Sequence, residues 1–272
     1  MELPRLRHWS GERLGPVEVL PVVDSTNAEA LRRVERGDAR DGLVLVAELQ
    51  EAGRGSRGRA WSHLPGKSIA LTVLLRASDE RPPHLATWAA VVAATDVARA
   101  HGLVASVKWP NDGLLHGKGK TAPEASEPIA RDAGRKFAGV LAEARGGAAA
   151  VWTALGVGVN VGHGAADFAG EFRRPPTSLL LHGVTLPLEA AHLELLHALD
   201  RRLAHDPEEL VRDLSDRLGL VGRAVVATLS DREERGRLVA IGVDGRLRLS
   251  GPGGERFLHG AHVVALALDP AE

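Results

Sequence analysis

Two short apolar runs, bounded by glycine and charged residues, constrain the fold of this chain most strongly. Residues 43–47 and 69–75 read Leu-Val-Leu-Val-Ala and Ile-Ala-Leu-Thr-Val-Leu-Leu, almost without polar interruption. Because a strand with one solvated face alternates apolar and polar residues, such runs predict strands that are covered on both faces. Three further strands are predicted at 106–109, 137–142 and 151–161. The runs therefore predict a buried sheet with helices packed on it.

Four segments carry the spacing of amphipathic or buried helices. They are 26–34, 84–101, 188–203 and 207–218. At the first, the pattern Thr26-x-x-Glu29 predicts a capping box, in which the Thr26 hydroxyl accepts from a first-turn N–H and Glu29 reaches back. Strands and helices in this order predict an α+β domain built on a mixed α/β sheet.

After Gly222 the pattern changes to short strands, predicted at 224–229, 237–243, 246–249 and 262–268. Asp244-Gly245 predicts a tight hairpin in which both turn residues have positive φ, and residues 251–254 predict a second turn. We expect two domains, residues 1–220 and 221–272, the second a small all-β barrel. Residues 116–135 contain one large apolar residue, Ile129, and are interpreted as a mobile surface insertion.

Composition excludes some chemistry and leaves partners open. The 272 residues include no cysteine, so disulfides, thiolate metal sites and thiol nucleophiles are excluded. Lys and Arg total 34 against 35 for Asp and Glu, a balance that favours no class of partner. No segment approaches the roughly 18 apolar residues of a spanning helix. We therefore expect a cytoplasmic protein that does not associate with membranes.

The densest chemical feature lies between the two buried runs. It reads Gly53-Arg54-Gly55-Ser56-Arg57-Gly58-Arg59-Ala60-Trp61, hereafter the Gly/Arg loop. Glycine lets a backbone approach a ligand closely, and guanidinium groups bind carboxylate or phosphate through two parallel hydrogen bonds. The loop therefore predicts an anion site. The alternative is a solvated, flexible basic loop of the kind found in RNA-binding segments.

Three other segments place polar groups at strand ends or beside glycine. They are Lys108-Trp109-Pro110-Asn111-Asp112, hereafter the 108–112 turn, then Lys136-x-x-Gly139, and Gly156-x-Gly158-x-Asn160. Ligand sites in α/β sheets are commonly built at strand ends. Structural alternatives are a simple Asn-Asp turn and a solvent-facing Lys136. The last segment lacks the third glycine and the following helix of a dinucleotide-binding motif, which excludes that interpretation.

Taken in order, these motifs, with Ser25-Thr26-Asn27 and Gln50 before them, resemble the catalytic core of biotin–protein ligases over roughly residues 18–220. The segment after residue 220 resembles that family's small SH3-like domain. The resemblance implies a fold of the class II synthetase and lipoate-ligase type. It implies biotin and ATP as substrates, with Mg²⁺.

The resemblance also implies roles for individual residues. Biotin-binding residues would be Ser25, Thr26, Asn27, Gln50, Gly53, Arg54, Arg57, Lys136, Gly139, Gly156 and Gly158. Residues at ATP or the adenylate would be Arg54, Arg57, Arg59, Trp61, Lys108, Asn111, Asp112 and Asn160. Catalytic residues would be Lys108, Lys136, Arg54 and Asp112, with the magnesium near Asp112. Asp112 is also a hypothetical base for the acceptor lysine.

The implied chemistry joins two anions, the biotin carboxylate and the α-phosphate of ATP. Arginine and lysine remove the repulsion and stabilise the charge of the transition state, and no protein nucleophile is needed. The second step transfers biotin to a lysine of a biotin carboxyl carrier domain. The partner is therefore that carrier; no DNA partner is expected, and the protein would be a monomer or a homodimer.

Three departures from the family pattern carry further expectations. The catalytic core begins near Met1, so an N-terminal DNA-binding domain and repressor activity are not expected. Ser56 stands where the family usually has arginine, and we hypothesise a faster release of the adenylate. An unchanged release rate in Ser56→Arg contradicts it. Finally, the insertion makes Lys118 or Lys120 alternatives to Lys136, although Lys136 has the matching Phe-Ala-Gly continuation.

Two other functions remain open at this point. One is a lipoate or octanoate ligase or transferase of related fold. The other is a non-catalytic module that binds RNA or another anion through the arginine loop and the small barrel, which would require a basic face and clustered aromatics. Histidines are scattered and predict no metal site, and His63 is interpreted as a loop residue rather than a base.

Overall fold

The computed structural model describes residues 3–78, 82–117, 134–146, 150–168, 172 and 174–270. The insertion predicted at 116–135, with Lys118, Lys120 and Ile129, lies mostly outside the described residues. Among the helices of the described ranges, none has the length and apolar character needed to cross a membrane.

Seven strands form the main sheet. They are β1 (Val17–Val23), β2 (Val44–Gln50), β3 (Ser68–Arg76), β4 (Ala105–Lys108), β5 (Asp112–Leu115), β6 (Arg135–Gly146) and β7 (Val151–Asn160). Their order across the sheet is β1-β2-β3-β7-β6-β5-β4. The β1–β2 pair is parallel and the other pairs are antiparallel. The mixed sheet and the strands expected at 43–47, 69–75, 106–109, 137–142 and 151–161 are confirmed.

The helices cover both faces of this sheet. They are α1 (Pro4–Arg7), α2 (Thr26–Arg36), α3 (Pro83–Ala100), α4 (Leu188–Ala204) and α5 (Pro207–Leu218). Helix α3 lies against one face and is itself covered by α4 and α5. Helix α2 packs on the other face, where Leu31 and Val34 meet Leu45 and Leu74. Coverage on both faces explains why β2 and β3 are almost continuously apolar.

Alternation along the strands determines which residues face α2. On β3, Leu71 and Val73 belong to the core under α3, whereas Leu74 belongs to the core under α2. Side chains of successive strand residues point to opposite faces, so Thr72 also lies on the α2 face. The same alternation on β7 puts Ala154, Gly156 and Gly158 there. Beyond the N-terminus of α2, this face carries the Gly/Arg loop instead of a helix.

The cap of α2 differs from the predicted capping box. Ser25, rather than Thr26, is the N-cap residue, and its Oγ accepts from the Ala28 N–H at 3.5 Å. Glu29 forms ion pairs with Arg32, Arg33 and Arg36 instead of reaching back. Burial raises the pKa of Glu29, but hydrogen bonds from these arginines outweigh that effect and lower the pKa to about 2. The prediction failed because the Thr26 hydroxyl is engaged with neighbouring strands.

A second, antiparallel sheet follows α5. Its strands are β8 (Ala224–Thr228), β9 (Glu233–Ile241), β10 (Arg246–Gly251), β11 (Gly254–His259) and β12 (Ala265–Leu268), in the order β11-β10-β9-β8-β12. The turn predicted at 251–254 is present as a hairpin, with Gly251 paired to Gly254. The turn between β9 and β10 is longer than the predicted two residues. Gly242 N–H donates to Arg246 O at 2.8 Å, so residues 243–245 form the turn. Only Gly245 of its two expected turn residues has positive φ, so the expectation for Asp244 was wrong.

Candidate active site

Three glycines form the floor of a site on the α2 face of the sheet, hereafter the glycine floor: Gly139, Gly156 and Gly158. Gly139 and Gly158 are direct partners across β6 and β7. A Cβ on Gly158 would lie 2.3 Å from Cε2 of Trp61, and one on Gly156 would lie 2.4 Å from Oδ1 of Asn27. Glycine is therefore required here because the side chains of Trp61 and Asn27 lie directly on the strands.

The N-terminus of α2 supplies the polar rim of this floor. Gln50, at the end of β2, accepts through Oε1 from the Thr26 backbone N–H at 3.0 Å and from the Thr26 hydroxyl at 3.2 Å. The Thr26 hydroxyl also lies 2.8 Å from the Thr72 hydroxyl of β3. Since Oε1 is occupied, Gln50 presents its Nε2 group beside Gly53, where a Cβ would lie 2.5 Å away.

Asn27 is held by partners on three strands, β3, β6 and β7. Its Nδ2 group donates to Glu143 Oε2 at 2.8 Å and to Leu141 O at 3.2 Å, and lies 3.5 Å from Ala154 O. Its Oδ1 accepts from the Thr72 hydroxyl at 2.6 Å. Because every partner of Nδ2 is an acceptor, the amide has one favourable orientation.

The Gly/Arg loop closes on itself above the sheet. Trp61 N–H donates to Gly53 O at 2.8 Å, and Gly55 N–H donates to Arg59 O at 2.7 Å. Arg57 adopts a left-handed conformation with φ of 60°, which is uncommon for a residue with a side chain. These contacts give the loop a definite folded shape with its base at the end of β2.

The three arginines of the loop are each paired within the chain. Arg54 lies 3.3 Å from Glu143 Oε2. Arg57 donates to the carbonyl of Val264, which precedes β12, at 2.7 Å, and Arg59 donates to the Ser56 hydroxyl at 2.9 Å. The structure thus puts Arg54 next to the floor strands, whereas Arg57 reaches the second sheet and Arg59 folds back onto its own loop.

Trp61 lies over the glycine floor. Its ring would contact a Cβ on Gly139 or Gly158, and the Lys136 ammonium is 5.5 Å from the ring centroid. The indole N–H is buried without a hydrogen-bond partner. A buried donor without a partner costs free energy, on the order of 1–3 kcal/mol. Because its ring lies directly on Gly139 and Gly158, the indole in this conformation fills the space that a ligand on the floor would use.

An ion pair, with a second lysine on the neighbouring strand, lies at the edge of the floor. Lys108 pairs with Asp112 across β4 and β5, and Asp112 pairs with Gly139 across β5 and β6. Lys136 Nζ lies 2.5 Å from Asp112 Oδ1. The side chain of Lys136 is therefore directed at this carboxylate rather than simply at solvent.

The remaining site residues have structural partners. The Trp109–Pro110 bond is cis, and the Trp109 ring is buried against Trp88 while its N–H donates to Val263 O at 3.0 Å. The Asn111 amide donates to Val140 O at 2.5 Å. The amide of Asn160, on β7, donates to Thr177 O at 3.0 Å. The expected roles of Asn111 and Asn160 at a nucleotide stay predictions.

The structure adds residues that the sequence patterns did not single out. Thr72 and Glu143 connect the rim to the floor, and the carbonyls of Val263 and Val264 hold two site elements. Thr72 carries a detectable signal, since it is the one polar residue in the apolar run 69–75. Glu143 follows an apolar run in β6, but nothing local indicates its partners. Main-chain carbonyls leave no sequence signal.

Comparison with known proteins identifies the family. The profile of the Biotin/lipoate A/B protein ligase family matches residues 19–160, just over half of the 272 residues. The chain belongs to this family. It is 31% identical to the biotin--[acetyl-CoA-carboxylase] ligase of Mycobacterium tuberculosis over 252 residues, which cover 85% of this chain and 84% of that protein.

Other similarities are partial in sequence or confined to the fold. The bifunctional ligase/repressor BirA of Bacillus spizizenii is 30% identical over 161 residues, 58% of this chain. The matched region covers 44% of that relative's length. The fold resembles that of the biotin protein ligase from Aquifex aeolicus in complex with biotin and ATP, with a TM-score of 0.70 and 21% identity over 94% of this chain and 100% of that one. The predicted fold class and family resemblance are confirmed.

Proposed function

We propose that this chain is a biotin–protein ligase that activates biotin with ATP and transfers it to a lysine of a biotin carboxyl carrier domain. One observation carries the proposal: at the edge of the glycine floor, beneath the Gly/Arg loop, Lys136 contacts Asp112, and Lys108 is the cross-strand neighbour of that carboxylate residue. This arrangement combines a surface that a ligand can approach closely with the cations that two reacting anions require.

Biotin would lie on the glycine floor with its ring system at the rim. The Nε2 group of Gln50 is directed away from Thr26 and is suited to donate to a carbonyl oxygen of the ureido ring. The proposed biotin-binding residues at the rim are Ser25, Thr26, Asn27 and Gln50. Trp61 must leave the floor, or shift on it, before biotin can bind there.

In the first step, a carboxylate oxygen of biotin attacks the α-phosphorus of ATP, and the bond to the β-phosphate oxygen breaks to release pyrophosphate. Lys136 would hold the biotin carboxylate, and Lys108 would hold the α-phosphate. Asp112 neutralises Lys136 in the structure and would release it when an anion binds. Arg54, next to Glu143, is the loop arginine best placed to bind the adenylate.

In the second step, the neutral amine of the acceptor lysine attacks the biotinyl carbonyl of the adenylate. The carbon–oxygen bond to AMP breaks, AMP leaves, and the amine loses a proton. We infer that Asp112 accepts this proton once Lys136 has exchanged partners. Normal transfer of preformed adenylate by Asp112→Asn contradicts that role.

Magnesium would accompany the nucleotide. Within the described ranges no group of three His, Asp or Glu side chains is arranged to hold a metal. A nucleotide-bound Mg²⁺ needs only one or two protein carboxylates besides the phosphates, and Asp112 fits that requirement. The ion would neutralise phosphate charge.

We further propose that residues 1–220 and 221–272 are two domains packed against each other, that the protein is cytoplasmic, and that it acts as a monomer or homodimer. The division lies between α5, which ends at Leu218, and β8, which begins at Ala224.

Transfer is tested by incubating a biotin carboxyl carrier domain with the protein, ATP, magnesium and biotin, followed by a streptavidin blot. We expect labelling that depends on each small molecule and is lost when the acceptor lysine is replaced by arginine. Labelling without the protein, or none with it, contradicts the proposal. Calorimetric titration with biotin and with lipoate tests the related ligase, which would bind lipoate more tightly.

A further inference from the structure

Glu143 joins the rim of the site to the Gly/Arg loop through one oxygen atom. Its Oε2 accepts from Asn27 Nδ2 at 2.8 Å and lies 3.3 Å from a guanidinium nitrogen of Arg54. Asn27 belongs to the first turn of α2, and Arg54 belongs to the loop above the floor. These segments are far apart in the chain, and Glu143, on β6, connects them.

The position of Glu143 follows from strand alternation. Gly139 lies under Trp61 on the α2 face of the sheet, so Leu141, Glu143 and Arg145 share that face. Arg145 forms an ion pair with Glu35 of α2 at the outer end of the strand. Beyond the Lys136–Asp112 pair, β6 thus makes two further ionic contacts on this face: that of Glu143 reaches the rim and the Gly/Arg loop, and that of Arg145 reaches the body of α2.

The two partners of Glu143 differ in burial, which gives the contacts different strengths. Asn27 is 4% exposed, and its bond to the carboxylate is a charge-assisted hydrogen bond. The Arg54 side chain is 44% exposed, so solvent screens its ion pair. The Asn27 contact is therefore durable, whereas an incoming anion can take Arg54 away from Glu143.

The Asn27 contact also determines how the rim is organised. With Nδ2 directed at Glu143 and the carbonyl of Leu141, the Oδ1 atom faces the Thr72 hydroxyl, which in turn neighbours Thr26. The Thr26 backbone N–H in turn donates to Oε1 of Gln50, which orients the Gln50 amide. Loss of the carboxylate removes the strongest acceptor of Nδ2 and weakens this orientation.

We propose that Glu143 is a positioning residue for the ligase reaction, an inference that rests on the proposed function. It fixes the Asn27 amide in every state, and it keeps Arg54 at the floor until a ligand anion replaces the carboxylate.

The test compares Glu143→Ala and Glu143→Gln with Glu35→Ala, which removes the ion pair to Arg145 on the same strand. The first readout needs no substrate: limited trypsin digestion after Arg54, with cleavage after Arg59 as internal reference. We expect cleavage after Arg54 to rise at least about threefold in both Glu143 variants. Loss of a weak, screened ion pair raises the population of the open loop a few-fold, and trypsin cuts the open form. Glu35→Ala should match the wild type.

The second readout is the KM for biotin in ATP–pyrophosphate exchange, measured with kcat and with the thermal unfolding temperature. Glu143→Ala should raise the KM about tenfold with a smaller change in kcat, the size expected for a lost charge-assisted hydrogen bond. Glu143→Gln retains a carbonyl oxygen for Asn27 and should keep a KM near that of the wild type.

Agreement of Glu143→Ala with Glu35→Ala in either readout overturns the proposal. If the wild type catalyses biotin-dependent exchange and the Glu143 variants match it, the positioning role is refuted and the proposed function stands. If the wild type shows no biotin-dependent exchange, the proposed function fails, and the cleavage comparison still decides whether Glu143 holds Arg54.

Discussion

At the scale of single residues, the site depends on three glycines, whose lack of a side chain leaves room above the strands. The glycine floor lets Trp61 and Asn27 lie against β6 and β7, and the proposed ligand would bind in the same space. Gly158 is the most restrictive position, because a Cβ there would lie 2.3 Å from the Trp61 ring. Even one methyl group must therefore displace either the indole or the ligand.

We predict that Gly158→Ala lowers the affinity for biotin at least about tenfold, since overpacking a tight contact costs on the order of 1–3 kcal/mol. Calorimetric titration measures the affinity. Gly146→Ala is the matched control, because a Cβ on Gly146, at the end of β6, has no neighbour within 4 Å. Equal affinities of the two variants would show that the floor does not contact the ligand.

At the scale of elements, α4 carries a buried histidine that makes stability depend on pH. Burial lowers the pKa of His192 from 6.5 to about 4. Its Nδ1 donates to Leu188 O at 2.8 Å, and its Nε2 is buried without a partner, so the ring is neutral in the folded chain. Burial also lowers the pKa values of His63 and His163.

The sign of the effect follows from linkage. Above pH 6.5 the His192 ring is neutral in both folded and unfolded chains; between pH 6.5 and about 4 only the unfolded chain takes up the proton. Stability is therefore lost as the pH falls through this window, by up to about 3 kcal/mol from this residue.

We predict that His192→Leu flattens the dependence of the unfolding free energy on pH between 6.5 and 4, measured by urea denaturation. His197→Gln, at an exposed position of the same helix, should retain the wild-type slope. A slope that is unchanged in His192→Leu would assign the acid sensitivity to other groups.

At the scale of the whole molecule, the second sheet takes part in the site. Consecutive carbonyls, those of Val263 and Val264, accept from Trp109 of the 108–112 turn and from Arg57 of the Gly/Arg loop. The segment before β12 thereby links the two motifs that carry most of the cationic groups. The strands of the second sheet and the helices of the first also share one continuous core.

We predict that Trp109→Phe, which keeps an aromatic ring but removes the N–H donor, lowers the unfolding free energy by about 1 kcal/mol and raises the KM for ATP several-fold. Trp152→Phe is the control, because Trp152 packs beside α2, away from the second sheet. If both variants keep the wild-type KM, the second sheet does not organise the nucleotide site.

The difference between what sequence patterns predict and what they miss follows from sequence distance. The apolar runs at 43–47 and 69–75 predict strands because burial on both faces is a local property. The local pattern predicts Thr26 as the cap of α2 instead of Ser25, because the partner of Thr26 is Gln50, at the end of β2, which the pattern does not include. The contact between Arg54 and Glu143 depends on register across the sheet, which no local pattern records.

The most direct test of the account is ATP–pyrophosphate exchange without any acceptor protein, because it isolates formation of the adenylate. We predict exchange that requires biotin, is not supported by lipoate, and falls at least about a hundredfold in Lys136→Ala, where the carboxylate loses its cation. Exchange that proceeds without biotin, or that is as fast in Lys136→Ala as in the wild type, would contradict the proposed function and site.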